Sequence, residues 1–111
     1  MKYYKLENYT RGWIVGDFLP SILRTKAIEV GLKSYKKGEK EEQSVHEYTW
    51  EITVVISGVI KMYNKILSKN EIILLEPGDI SEFECIEDTS LVIVKYPSNP
   101  NDKITIDSTM N

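Results

Sequence analysis

The sequence predicts an all-β protein, a single small β-barrel or jelly roll of antiparallel strands, from three observations. No window carries an apolar period of 3.6 residues beyond a turn or two, so no amphipathic helix is on offer to build a layer. The apolar residues fall instead into short runs rich in Ile, Val, Tyr and Thr, the composition of strands. Turn-forming residues interrupt these runs at close spacing: Gly38, Gly58, Asn64-Lys65, Asn70, Pro77-Gly78 and Glu87-Asp88. Many short antiparallel strands with tight turns protect their edges by curling into a barrel.

The elements follow in order. Strands are predicted over residues 2–6, 13–15, 27–35, 44–48, 52–57, 59–63, 72–75, 80–85 and 91–96, with a single helical turn over 19–23 opened by Pro20. Asn64-Lys65 between Met62-Tyr63 and Ile66-Leu67 predicts a tight hairpin, since Asn tolerates the positive φ of such a turn. The barrel domain is expected to span 1–98, followed by a polar, loosely held tail over 99–111. Two stretches, Ile52-Thr53-Val54-Val55-Ile56 and Leu91-Val92-Ile93-Val94, are apolar at nearly every position. A strand with one face in water alternates. These two are therefore expected to be covered on both faces, one lining the barrel and the other meeting a second sheet or a second subunit, with a homodimer the leading expectation for the assembly.

Composition excludes several functions. A chain of 111 residues with 41% hydrophobic and 28% charged residues is an ordinary globular domain rather than a disordered segment. Lys plus Arg is 14 and Asp plus Glu is 17, a net charge of −3, which argues against a nucleic-acid polymer as partner. No apolar stretch is long enough to span a membrane and the first residues lack a signal-peptide run, so a cytoplasmic location is expected. A single cysteine, Cys85, excludes an intrachain disulfide and a Cys-rich zinc site. It is read as a small core residue. A single histidine, His46, excludes any mechanism that needs two imidazoles from one chain. Phosphate-binding loops, dinucleotide fingerprints and HExxH are absent from the sequence. An acidic cluster, Asp79, Glu82, Glu84, Glu87 and Asp88, reads either as a solvated rim or as a cation-binding patch.

One spacing pattern runs between Gly38 and Cys85. Gly38 is followed after five residues by Ser44, after one by His46, after four by Glu51 and after six by Gly58. A second block begins at Asn70, continues after five residues with Glu76-Pro77-Gly78, after two with Ser81 and after three with Cys85. This resembles the two motifs of the cupin superfamily, G(x)5HxH(x)3-4E(x)6G and G(x)5PxG(x)2H(x)3N, placed here at about 38–58 and 70–85. The resemblance implies a small, single-domain, RmlC-like jelly roll with the four motif positions converging at the barrel mouth. There the family commonly holds a divalent metal on three His and one Glu. This chain keeps His46 and Glu51, but carries Ser44 and Ser81 at the other two positions and Cys85 for the Asn. Serine hydroxyls are weak ligands for first-row metals. The resemblance therefore implies a degenerate metal site: no cofactor is expected, and a weakly bound divalent metal would fall to His46 and Glu51.

The candidate residues follow. His46 reads as a pocket acid or base, or as a hydrogen-bonded remnant of a lost metal site. Glu51 reads as its carboxylate partner, or as an anchor for backbone amides at a strand start. Ser44 and Ser81 would donate to a polar ligand or fill the space of the missing imidazoles, and Tyr48, two residues beyond His46, would face inward beside them. Lys33 with Tyr35, and Lys61 with Tyr63, each share a face of one strand. Facing inward, Lys33, Tyr35 and Lys61 would bind an anionic group, and facing outward they are surface residues. The segment around Trp13 and Phe18 is expected to close the barrel base or a dimer seam. Three functions stay open: an enzyme acting on a sugar, nucleotide sugar or other polar or phosphorylated metabolite through His46 and Glu51, a sequestering protein that holds a polar metabolite or nucleotide without turning it over, as a phage nucleotide-binding protein would, and a dimeric structural module with a vestigial pocket.

Overall fold

The computed structural model describes residues 1–106, so the last five residues of the tail, 107–111, lie outside the described residues. Among the described residues there are ten strands: β1 (Trp13–Gly16), β2 (Leu23–Arg24), β3 (Glu29–Tyr35), β4 (Ser44–His46), β5 (Trp50–Met62), β6 (Lys65–Ser68), β7 (Ile72–Leu75), β8 (Ile80–Ser81), β9 (Phe83–Tyr96) and β10 (Lys103–Thr105). One sheet runs β2-β1-β3-β9-β5-β6, with β7 also paired to β5, and a smaller sheet runs β10-β4-β8. Every pairing is antiparallel except the short β1–β2 contact. The all-β antiparallel class holds, and among the described residues no helix is long and apolar enough to cross a membrane.

Differences from the expected elements have local causes. Residues 2–6 form no strand, because the chain there packs on nothing that could pair with it and closes a 3-10 turn at Leu6–Asn8 instead. The 19–23 segment is bent rather than helical, with Ser21 bonding back to the backbone of Ile14 and Leu23. Glu87-Asp88 does not break β9, which runs through as an exposed bend, with Glu87 opposite Val59. The hairpin turn is Tyr63-Asn64, one residue earlier than expected: Met62 pairs with Lys65, and Tyr63 rather than Asn64 takes the positive φ, 55°. The tail is not loose throughout. Lys103–Thr105 adds an edge strand to β4.

Gly58 joins two expected strands into one. It sits at φ +86°, and a side chain there would run into the Asp88 carbonyl and Thr89. The β5–β9 register shifts around it, as at a β-bulge. The inward positions of β5 are odd before the bulge, Glu51, Thr53 and Val55, and even after it, Ile60 and Met62. The inward parity of β5 thus reverses across this irregular stretch, and Lys61 falls on the outside.

The interior divides along the barrel axis. One half is an apolar core in which Val55 and Ile60 have no exposure and Leu67, Phe83, Cys85 and Leu91 are buried beside them. The other half is polar. Across the sheet, Val55 lies opposite Leu91, Thr53 opposite Ile93 and Glu51 opposite Lys95, so β5 and β9 grade together from aliphatic to charged. The first half supplies roughly 1.5–3 kcal/mol for each large side chain it buries. The second half is where a ligand can meet hydrogen-bonding groups.

Candidate functional site

β4 presents Ser44 and His46 inward because they are two residues apart. β8 pairs alongside it with Ser81 opposite Ser44, and the two hydroxyls are hydrogen-bonded at 3.1 Å. On the facing sheet Glu51 points in from β5 and Lys95 from β9, with the ammonium 4.0 Å from the carboxylate. Thr53 donates its hydroxyl hydrogen to Glu51 Oε2 at 3.2 Å, and His46 Nε2 lies 3.4 Å from Glu51 Oε1. Burial would push the Glu51 carboxyl up. The neighbouring His46, Lys95 and Thr53 outweigh that cost and hold it below the ordinary carboxylate range.

His46 is 7% exposed. Its Nδ1 is shut off from solvent without a hydrogen-bond partner, 3.9 Å from Asp102 Oδ2. Asp102, just before β10, accepts backbone N–H bonds from Glu47, Tyr48 and Thr49 at 3.2, 3.0 and 2.9 Å. Burial alone would raise its pKa, but these donors pull it below the usual value. The imidazole therefore lies between two carboxylates, Glu51 on the sheet and Asp102 on the returning chain.

These groups open on a cavity of about 450 Å³, a volume usual for small-molecule sites. Six of the eight residues singled out from the sequence line it: His46, Glu51, Ser44, Ser81, Lys33 and Tyr35. The Tyr35 hydroxyl donates to Glu41 at 2.9 Å, and burial, reinforced by that carboxylate, keeps it protonated far above its ordinary pKa. Two residues lie elsewhere. Tyr48 is 64% exposed, because β4 ends at His46 and residues 47–49 wrap around Asp102, which ends the alternation. Lys61 points outward because the Gly58 bulge has reversed the inward parity of β5. Cys85 sits in the apolar core, where burial raises its thiol pKa.

Several lining residues escaped the sequence reading. Lys95 continues the inward series Leu91, Ile93, and that period of two was the signal that could have found it. Glu29, 5% exposed, accepts from the Ser98 hydroxyl at 3.0 Å. Trp13 lines the cavity, and its ring lies over Gly31, where a side chain would meet it at 2.7 Å. The ammonium groups of Lys95 and Lys33 stand 4.9 and 5.5 Å from that ring. Arg11 lines the same wall. Nothing local to Asp102 announces its role, since its partners lie more than fifty residues away.

Only one imidazole stands among the four motif positions, and among the described residues no group of three His, Cys, Asp or Glu side chains is arranged to hold a metal ion. The two serine hydroxyls are turned to each other, and His46 Nε2 is turned to Glu51. This donor set does not fit the divalent metal that three His and one Glu would hold.

No family model matches the sequence, and no curated protein matches it. Solved structures do. A conserved protein with a double-stranded β-helix domain from Klebsiella pneumoniae is 20% identical, covering 97% of this chain and 99% of that one at a TM-score of 0.68. An RmlC-like cupin protein from Ralstonia eutropha is 11% identical at a TM-score of 0.63, with 78% of this chain covering 55% of that one. The DMSP lyase DddQ from Ruegeria pomeroyi is 9% identical at a TM-score of 0.66, covering 84% of this chain and 49% of that one, so the present chain spans about half its length. At these identities the likeness is one of fold, and the fold is the cupin double-stranded β-helix.

Proposed function

We propose that this protein binds a small polar metabolite, of the sugar, nucleotide-sugar or phosphorylated class, inside its barrel. The observation that carries the reading is the convergence of Ser44, Ser81, His46, Glu51 and Lys95 on one end of a cavity whose other end is apolar core. Such a wall supplies donors and acceptors in a place where water competes poorly. Binding needs no resident metal, and the donor set of one imidazole and one carboxylate supports a metal-free site. A soluble cytoplasmic setting fits the free Cys85 thiol, and the net charge of −3 favours a small ligand over a nucleic-acid polymer.

Holding the ligand without turnover is favoured over proton transfer by the state of His46. Its Nδ1 is closed off and its Nε2 faces Glu51, so a substrate must displace the carboxylate to reach the base. Proton transfer by His46 with Glu51 is the second reading, supported by the depressed Glu51 pKa, which keeps the partner ionised at neutral pH. A thermal-shift screen against sugar phosphates, nucleotide sugars and cyclic nucleotides tests both. A ligand at a hundred times its Kd adds about 2.7 kcal/mol of stability, and His46→Ala should abolish that gain. Product formed by the wild type but not by His46→Ala would establish the catalytic reading. No stabilisation by any compound would leave the vestigial-pocket alternative.

A homodimer is part of the proposal. The outer face of the large sheet is apolar across neighbouring strands: Ile52 and Val54 on β5 lie beside Leu74 and Ile72 on β7 and beside Val94 and Val92 on β9. Ile52, Leu74 and Ile72 are 41%, 48% and 62% exposed. A contiguous apolar face of this kind marks an association surface, and a second copy placed on it would cover both apolar stretches seen in the sequence.

A further inference from the structure

Part of the cavity wall is built by a short stretch of unusual backbone. Arg11 is a non-glycine residue in the left-handed region, at φ 50° and ψ 33°. Gly12 follows at φ +82°, where a side chain would strike the Leu32 carbonyl, so only glycine fits. This turn brings Arg11 to the cavity and places its carbonyl where the Lys33 ammonium donates to it at 2.6 Å. Backbone of this kind, held against its own preference, concentrates at ligand sites.

Arg11 and Lys33 thus both line the cavity, and among the described residues neither is in an ion pair. The other cavity cations differ. Lys95 is matched by Glu51 at 4.0 Å and Lys103 by Glu41 at 3.5 Å. Glu41 also acts on Lys33 from a distance, but its oxygens are taken by Tyr35 and Lys103. Burial lowers the Lys33 pKa, and the charge of Arg11 beside it lowers it further. Like charges kept together without a counter-ion are stabilised by an anion placed between them. The Trp13 ring lies beside Lys33, and Phe18 and Leu19 line the same cavity, surfaces that suit the apolar or ring portion of a small molecule.

We infer that Arg11 and Lys33 form an anion subsite in the barrel cavity, which takes the carboxylate or phosphate group of the bound molecule while its body lies against Trp13. The inference rests on the cavity being a ligand site and adds the class of ligand: a small organic acid or phosphate ester. Arg11 supplies a fork of donors and Lys33 a point charge, so either oxyanion can be held.

The test uses three ring compounds that differ in their charged group: phenyl phosphate, benzoate and the neutral benzamide. Their binding is followed by the NMR shift of the Trp13 indole N–H. Phenyl phosphate or benzoate should bind saturably and about tenfold or more tighter than benzamide, the stronger of the two identifying the oxyanion. Arg11→Gln and Lys33→Gln should each weaken that anion about tenfold. Lys33→Arg should retain it, and Lys61→Gln, a lysine on the outside of the barrel, should leave it unchanged. Anions that bind no better than benzamide, or that bind equally well to Arg11→Gln and Lys33→Gln, would overturn the subsite. If a neutral sugar still stabilises the protein through His46 in that case, the cavity reading survives alone. Failure of every compound to bind the wild type overturns both.

Discussion

Asp102 shows how one side chain can serve both stability and site. Its carboxylate terminates three backbone N–H groups of the 47–49 turn, one of them, that of Thr49, in a buried setting. Asp102→Ala should therefore cost about 2 kcal/mol or more in a urea melt, because the donors lose their acceptor. The pH dependence has a definite sign. A carboxyl whose folded pKa is depressed contributes stability that is complete above its unfolded pKa of about 3.9 and is lost as pH falls through the lower, folded value. Wild-type stability should fall on the acid side of pH 4, and Asp102→Asn should fall less steeply there. An unchanged acid limb in Asp102→Asn would show that the aspartate charge is not what the turn uses. The sequence contains no trace of this arrangement. His46 and Glu51 were legible, because their spacing is a motif and a motif in a β-protein is a statement about strand faces. Asp102 was not, because its partners are brought to it only by the return of the chain.

Among the elements, β5 is the one on which most depends. Its irregular register around Gly58 sets which residues face in on either side. Gly58→Ala meets both the positive φ and the Asp88 carbonyl, whereas Gly78→Ala, at φ +91°, meets only open space. The first should lose about 2–3 kcal/mol and the second about 1 kcal/mol. Equal losses in chemical denaturation would mean that the close approach to Asp88 relaxes freely. The bulge also accounts for the fate of Lys61. Read from spacing alone, Lys61 could face either way, and the parity change across Gly58 decides it. The last described strand, β10, has comparable weight for its size. It covers β4 beside the site, with Lys103 opposite His46. Ending the chain after Pro97 removes β10, Asp102 and the Ser98 hydroxyl bonded to Glu29. That truncation should lower the melting temperature by several degrees or more and abolish ligand stabilisation.

At the level of the whole molecule, the division between an apolar half and a polar half lets a chain of 111 residues hold both a core and a cavity. The core half has little slack. Ile60, without exposure, should cost about 2–5 kcal/mol as Ile60→Ala. The outer apolar face makes a separate prediction. Light scattering after size exclusion should give twice 12.8 kDa for the wild type and the monomer mass for Ile52→Glu combined with Leu74→Glu. A monomeric wild type would remove the dimer from the proposal. Both apolar stretches were visible in the sequence, since neither Ile52-Thr53-Val54-Val55-Ile56 nor Leu91-Val92-Ile93-Val94 alternates as a half-exposed strand must.

Local patterning was enough to establish the antiparallel β class, most strand positions, the inward pairing of Ser44 with His46, and the shortage of metal ligands. Each of these follows from residue type and from a side-chain period of two, which act over a few residues. The cavity, the inward direction of Lys33, the outward direction of Lys61 and Tyr48, the approach of Arg11 and Lys95 to one space, and the placing of Asp102 behind His46 came only with the tertiary structure. They depend on where the bulge at Gly58 falls, where β4 stops and where the tail returns. Those are balances among hydrogen bonds and packing between segments far apart in the chain, and no local period records them.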